Sequence, residues 1–123
     1  VGVGNGLDAL FLPLKAYGIG TGDEVIVPSN TFIATALAVS YTGATPVFVE
    51  PTLESFDIDP ARIEEKISDK TKAIMAVHLY GQPAKMDEIN TIAKKYGLMV
   101  LIINIIISIR EITPDWMRCK QLF

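Results

Sequence analysis

The sequence predicts an α/β fold, a mostly parallel sheet with helices on its faces. Three observations lead there. Apolar residues at helical spacing alternate along the chain with short β-branched runs. The connections between them are brief and rich in Gly, Pro, Asp and Asn, with no internal repeat and no linker. The longest apolar run, Leu98 to Ile109 interrupted by Asn104 and Ser108, has the isoleucine density of a buried strand. Alternation with short connections favours parallel strands joined by helical crossovers.

Taken in order, Leu7, Leu10, Phe11 and Leu14 fall at i, i+3, i+4 and i+7, which predicts a helix from Gly6 to Tyr17. Asn5 suits its N-cap, with Asp8 placed three residues on as in a capping box. Pro13 lies inside that helix, where proline costs about 3 kcal/mol and usually bends the axis. Gly18 to Asp23 reads as a turn and Glu24 to Val27 as a strand. Ser29 or Asn30 is expected to cap a second helix over Thr31–Tyr41, and Thr45–Glu50 to form another strand. Asp59-Pro60 opens a third helix, which would bury Ile63 and Ile67. Lys72–His78 is the next strand. Met86, Ile89, Ile92, Ala93 and Tyr96 then mark a fourth helix stopped by Gly97, and Leu98 begins the last strand. Ile112 to Phe123 has little periodicity, and Pro114 discourages a helix there.

With 123 residues, half hydrophobic and a fifth charged, the chain is sized for one globular domain. A net charge of −3 gives no electrostatic reason to expect nucleic acid. One cysteine, Cys119, cannot form an internal disulfide, and with His78 the sole histidine no His/Cys metal site is expected. The apolar run from Leu98 is shorter than the ~20 residues a membrane helix needs, so no membrane partner is expected. Val1-Gly2-Val3-Gly4 lacks the basic start and apolar core of a secretory signal, which suggests a cytoplasmic setting, and the absence of an initiating Met suggests a true start upstream.

Three segments carry candidate chemistry. Gly4-Asn5-Gly6 runs into a helix, whose first amides lack intrahelical acceptors and carry the positive end of its dipole. Glycines let a phosphate approach such a turn closely, and the N–H groups of Gly6 and Leu7 are the best placed. A simple turn needing glycine for its backbone angles explains the same residues. Phe32 follows a strand end, where open α/β sheets bind ligands, and its ring can stack on a flat heterocycle or serve as core. Ser29 and Thr31 lie near enough to touch a ligand, though capping accounts for both. His78 ends a strand at the same edge. No G-x-S-x-G elbow is present to partner it, so a packed histidine shaping the site is preferred over a catalytic one, and Tyr80 is a further pocket residue.

Gly2-Val3-Gly4-Asn5-Gly6-Leu7-Asp8-Ala9-Leu10, Gly22 to Thr35 and Val77 to Asp87 together resemble the DegT/DnrJ/EryC1/StrS family of pyridoxal-phosphate (PLP) sugar aminotransferases. The likeness is nearly continuous from Val1 to about Leu101. It implies part of a fold-type I PLP-transferase large domain over residues 1–101, with a divergent strand and tail over 102–123. It implies PLP as cofactor, its phosphate on Gly6 and Leu7 and its ring against Phe32. A nucleotide-linked keto-sugar, an amino-acid donor and a homodimer are the partners implied for an intact member. Many relatives carry threonine where Leu7 stands, and Leu7 can offer only its backbone.

Beyond Leu101 the family has a segment of the type I-E-D-A-A-Q, whose aspartate holds the protonated pyridine nitrogen. This chain reads Ile102-Ile103-Asn104-Ile105-Ile106, so that position holds Asn104 in one register and Ile103 in the other. Asparagine can hydrogen-bond the nitrogen without supplying charge, and isoleucine can do neither. The family's Schiff-base lysine lies in a motif that none of this chain's lysines matches, so no catalytic residue is expected here. Two expectations follow: an incomplete nucleotide-sugar aminotransferase inactive alone, or a non-catalytic remnant, decayed or truncated, or a subunit partnering a complete paralogue.

Overall fold

The computed structural model describes residues 2–104. Its elements run α1 (Gly6–Ala16), β1 (Glu24–Pro28), α2 (Ala34–Thr42), β2 (Thr45–Val49), α3 (Pro60–Ile63), β3 (Thr71–His78), α4 (Met86–Tyr96) and β4 (Met99–Asn104). Short 3-10 turns follow α3 (Glu64–Lys66) and β3 (Leu79–Gly81). The four strands lie in the order β2-β1-β3-β4, every pairing parallel. The expected α/β fold with a parallel sheet is therefore the one observed, and β4 runs unbroken across the 101/102 boundary to Asn104. The tail from 105 to 123 lies outside the described residues.

Side chains alternate across the sheet, and the alternation sorts the core into two layers. Val25, Val27, Ala73 and Met75 face α1 and α2, where Leu10, Leu14, Ala38 and Val39 are buried; Met99, Leu101 and Ile103 pack on the same layer. Ile26, Ile74 and Ala76 face the other way, against Ile63 of α3 and Ile89 and Ala93 of α4. Strand β3 is central, so Ala73 to Val77 are all fully buried, as parallel strands covered on both faces require.

Local chemistry explains most element ends. Asn5 is extended and its Oδ1 accepts the Asp8 N–H at 2.9 Å, the expected cap of α1. The helix passes through Pro13 without ending. Leu10 and Leu14, on either side of it, are both buried, and burial of about 1.5–3 kcal/mol each is enough to offset the proline. Gly97 stops α4 in the left-handed region (φ 66°), as expected. Gly43 ends α2 at φ 88°, and a Cβ there would lie 2.7 Å from Thr21 Oγ1, so glycine is required twice over.

Two expectations are corrected. The second helix begins at Ala34, three residues later than Thr31, and its N-cap is Ile33, which makes no side-chain cap bond. Ser29 and Asn30 instead lie in the turn ahead of the helix, where the Ser29 N–H donates to the Val49 carbonyl (3.0 Å) and Asn30 Nδ2 to the Phe56 carbonyl (2.9 Å). The third helix starts as expected, with Asp59 Oδ1 accepting the Ala61 N–H at 3.0 Å, but its α-helical part stops at Ile63. The chain tightens to a 3-10 turn and becomes extended at Ile67, which is partly buried, because Ser68 and Thr71 must turn it into β3.

Candidate cofactor site at the carboxyl edge of the sheet

A turn from Gly18 to Asp23 joins the end of α1 directly to the start of β1, with Ile19 N–H bonded back to the Leu14 carbonyl (3.1 Å). Helix α1 therefore runs antiparallel to β1, and its first turn lies toward the carboxyl ends of the strands. In that turn the Asn5 side chain takes the Asp8 N–H and the Asn5 carbonyl takes the Ala9 N–H (3.1 Å). The N–H groups of Gly6 and Leu7 precede any intrahelical acceptor and meet no other among the described residues. A Cβ on Gly6 would meet nothing within 4 Å, so the space beside this first helical residue is open. At Gly4, by contrast, a Cβ would lie 2.8 Å from Asp8 Oδ2, so the Asp8 carboxylate would have to shift for a larger residue there.

Phe32 stands in the loop between β1 and α2, ahead of the helix rather than in its first turn, and is 72% exposed. It is therefore not a core residue of the described chain. Its carbonyl accepts the Thr35 N–H (3.0 Å), while Thr31 Oγ1 donates to Thr35 Oγ1 (3.2 Å). Ser29 and Thr31 thus belong to the turn that delivers Phe32. Helix α2 packs beside α1, so this loop and the first turn of α1 open on the same side of the sheet.

The alternation of β4 separates the two registers left open for the ring-nitrogen position. Ile103 faces the α1–α2 layer, the side of the Gly6–Leu7 amides. Asn104 comes next and faces the opposite way, paired in register with His78 at the end of β3. Asn104 therefore lies across the sheet from the Gly6–Leu7 turn. His78 is on that far side too. Its Nδ1 accepts the Ala84 N–H at 3.1 Å, and burial lowers its pKa, partly opposed by the nearby Asp57 carboxylate. Tyr80 is 73% exposed in a left-handed conformation (φ 55°) just beyond.

Gly6, Leu7, Phe32 and Ile103 thus share one side of the carboxyl edge, and His78 and Asn104 the other. Sequence reading singles out Asn30 only as a cap and passes over Phe56 and Asp57. Asp57 is 3% exposed, and its Oδ1 accepts the Leu79 N–H at 3.2 Å, tying the β2–α3 segment to the end of β3. Its only sequence signal is its place two residues before the Asp59 cap, which is indistinguishable from an ordinary loop aspartate. A cleft of about 470 Å³ lies between α3 and α4 along Pro60, Glu64, Asp87 and Thr91 and contains none of the site residues.

The model of the DegT/DnrJ/EryC1/StrS aminotransferase family matches residues 1–102. The chain is 64% identical over 101 residues to a dTDP-3-amino-3,6-dideoxy-alpha-D-galactopyranose transaminase of Aneurinibacillus thermoaerophilus, covering 82% of this chain and 28% of that protein. It is 52% identical over 99 residues to the GDP-perosamine synthase of Escherichia coli O157:H7, covering 80% of this chain and 27% of the relative. Among solved structures, DesV of S. venezuelae in complex with a ketimine intermediate superposes with a TM-score of 0.82 at 53% identity, covering 83% of this chain and 28% of that one. NtdA of Bacillus subtilis, with its cofactor PMP bound, superposes with a TM-score of 0.77 at 45% identity, covering 79% and 22%. The chain spans little more than a quarter of the curated relatives it matches. A family match over residues 1–102, on the same parallel sheet, means that this chain belongs to the DegT/DnrJ/EryC1/StrS aminotransferase family.

Proposed function

We propose that the carboxyl edge of this sheet is the phosphate- and ring-holding part of a PLP site, in a protein line that transfers an amino group from an amino acid to a nucleotide-linked keto-sugar. The observation that carries this reading is the pair of acceptor-free N–H groups on Gly6 and Leu7, left over once Asn5 has engaged Asp8 and Ala9. Two amides at the positive end of a helix, with open space beside the Gly6 Cα, suit the charge of a phosphate ester. Phe32 offers an exposed ring on the same side for the pyridine. When bound, PLP supplies an electron sink for bonds at an amino-bearing carbon. The protein's own part is to hold the phosphate with backbone dipoles and to limit the tilt of the ring. The nature of the relatives supports the nucleotide-sugar class, and a homodimer in the cytoplasm belongs to the same reading.

The second reading is a non-catalytic one, a remnant or a subunit beside a complete paralogue, and Ile103 favours it. On the side of the phosphate turn, β4 presents a hydrocarbon where a ring nitrogen would need a carboxylate to stay protonated. Holding the phosphate and lacking that charge are compatible, so binding is the property to test. Titration of the chain with 4-deoxypyridoxine phosphate, which has no aldehyde to react with surface lysines, should show saturable binding. The same ring without its phosphate should bind at least ~10-fold more weakly, the loss of one charge-assisted hydrogen bond or more. Equal affinity for the two would remove the phosphate cradle from the reading.

A further inference from the structure

On the far face of the sheet, one histidine sits between two alternative partners. The imidazole of His78 accepts the Ala84 N–H at Nδ1 (3.1 Å), so its single proton is on Nε2 and the ring is neutral. Asp57, 3% exposed, commits Oδ1 to the Leu79 N–H, while its Oδ2 is buried with no hydrogen-bond partner among the described residues. A buried carboxylate oxygen without a donor is costly, and the nearby imidazole is the group able to supply one. The segment between these anchors holds two consecutive left-handed residues, Tyr80 (φ 55°) and Gly81 (φ 78°). For tyrosine that conformation is strained by roughly 1–2 kcal/mol and needs fixed ends to persist.

We propose that His78 is a two-position latch on the Leu79–Lys85 segment: neutral, it clasps the Ala84 amide; protonated, it releases Ala84 and turns to Asp57 Oδ2. Taking a proton from solvent at Nδ1 converts that nitrogen from acceptor to donor, which sets it N–H against N–H with Ala84. The imidazolium then has a carboxylate to face, and the freed segment lets Tyr80 relax. Among the described residues Asp57 is the one charged group acting on the ring; Asn104, its register neighbour on β4, is uncharged, and Lys85 and Asp87 are exposed. The direction of the His78 shift agrees, since burial favours the neutral ring and Asp57 the charged one. The latch is independent of whether the opposite side of the sheet holds PLP.

His78 is the single histidine of the chain, so its ring resonances need no assignment by elimination. The test is NMR on the full 123-residue chain from pH 8 to pH 5, following the ring nitrogens of His78 and the amide of Ala84. The expected result is an Nε2–H tautomer at pH 8 and a midpoint below 6.5. The protection of the Ala84 amide, measured against its base-catalysed intrinsic exchange rate at each pH, should fall by roughly fivefold across that same midpoint, the loss of one hydrogen bond. Asp57→Asn should lower the midpoint further, because it removes the charge that favours the imidazolium. An Nδ1–H tautomer at pH 8, or an Ala84 amide that stays unchanged while His78 titrates, would overturn the latch. Both of those readouts come from the wild-type chain and do not depend on the variant folding.

Discussion

Replacing Gly6 by proline isolates the backbone donor on which the cofactor reading rests. Position 6 is the first residue of α1, where proline is welcome because its ring angle is already helical and its missing N–H would have had no intrahelical acceptor. The residue before a proline must be extended, and Asn5 already is, at φ −162° and ψ 177°. No atom lies within 4 Å of a Cβ at this position. Gly6→Pro should therefore leave the fold intact and raise its stability slightly, by about 0.4–1 kcal/mol through the stiffer unfolded chain. What it removes is one N–H aimed at a phosphate. A hydrogen bond to a charged group contributes about 1.5–3 kcal/mol, so affinity for 4-deoxypyridoxine phosphate should fall roughly 10- to 150-fold. Gly6→Ala keeps the N–H and should bind as the parent does. Fluorescence titration of the three proteins, with urea unfolding alongside, separates the outcomes. Undiminished binding by Gly6→Pro would mean that this amide holds no phosphate, and the argument from acceptor-free donors would fail with it.

Further perturbations bear on the ring contact, the core and the histidine. Phe32→Ala should weaken the same ligand by about 2- to 12-fold, the ~0.5–1.5 kcal/mol of an aromatic contact, while the urea midpoint stays put because the side chain is 72% exposed. Ile74→Ala, at a fully buried position of the central strand, should cost about 2–5 kcal/mol, visible as a drop in the urea midpoint at unchanged slope. Stability should be level above about pH 6.5 and decline as pH falls from there through the lowered pKa of His78, since the unfolded chain takes up the proton first. Urea unfolding at several pH values checks this, and His78→Gln should flatten the slope in that window.

The sequence by itself determined the kind of elements, their order and most of their ends. Asn5, Asp59 with Pro60, and Gly97 act within a few residues of themselves, through a side-chain cap or a permitted backbone angle, so their effects are local and legible. The fourth helix was readable for the same reason: its apolar positions repeat at the helical period. The glycine turn and Phe32 could be picked out as candidates because a helix start and a strand end have predictable chemistry. The start of α2 was not legible, since Ser29 and Asn30 are held in the preceding turn by bonds to Val49 and Phe56, partners 20 and more residues away.

Only the tertiary structure decided which candidates meet. Whether residue 103 or 104 faces the phosphate turn depends on the register of β4 against β3, and a strand's own sequence leaves its two faces unlabelled when both are apolar. Once that register is set, Ile103 looks toward α1 and α2, and Asn104 looks away with His78. Asp57 gains its place in the same way. Nothing in the loop around it distinguishes this aspartate until β3 brings the Leu79 amide and the His78 ring alongside, and burial then turns an ordinary loop carboxylate into a group that must find partners.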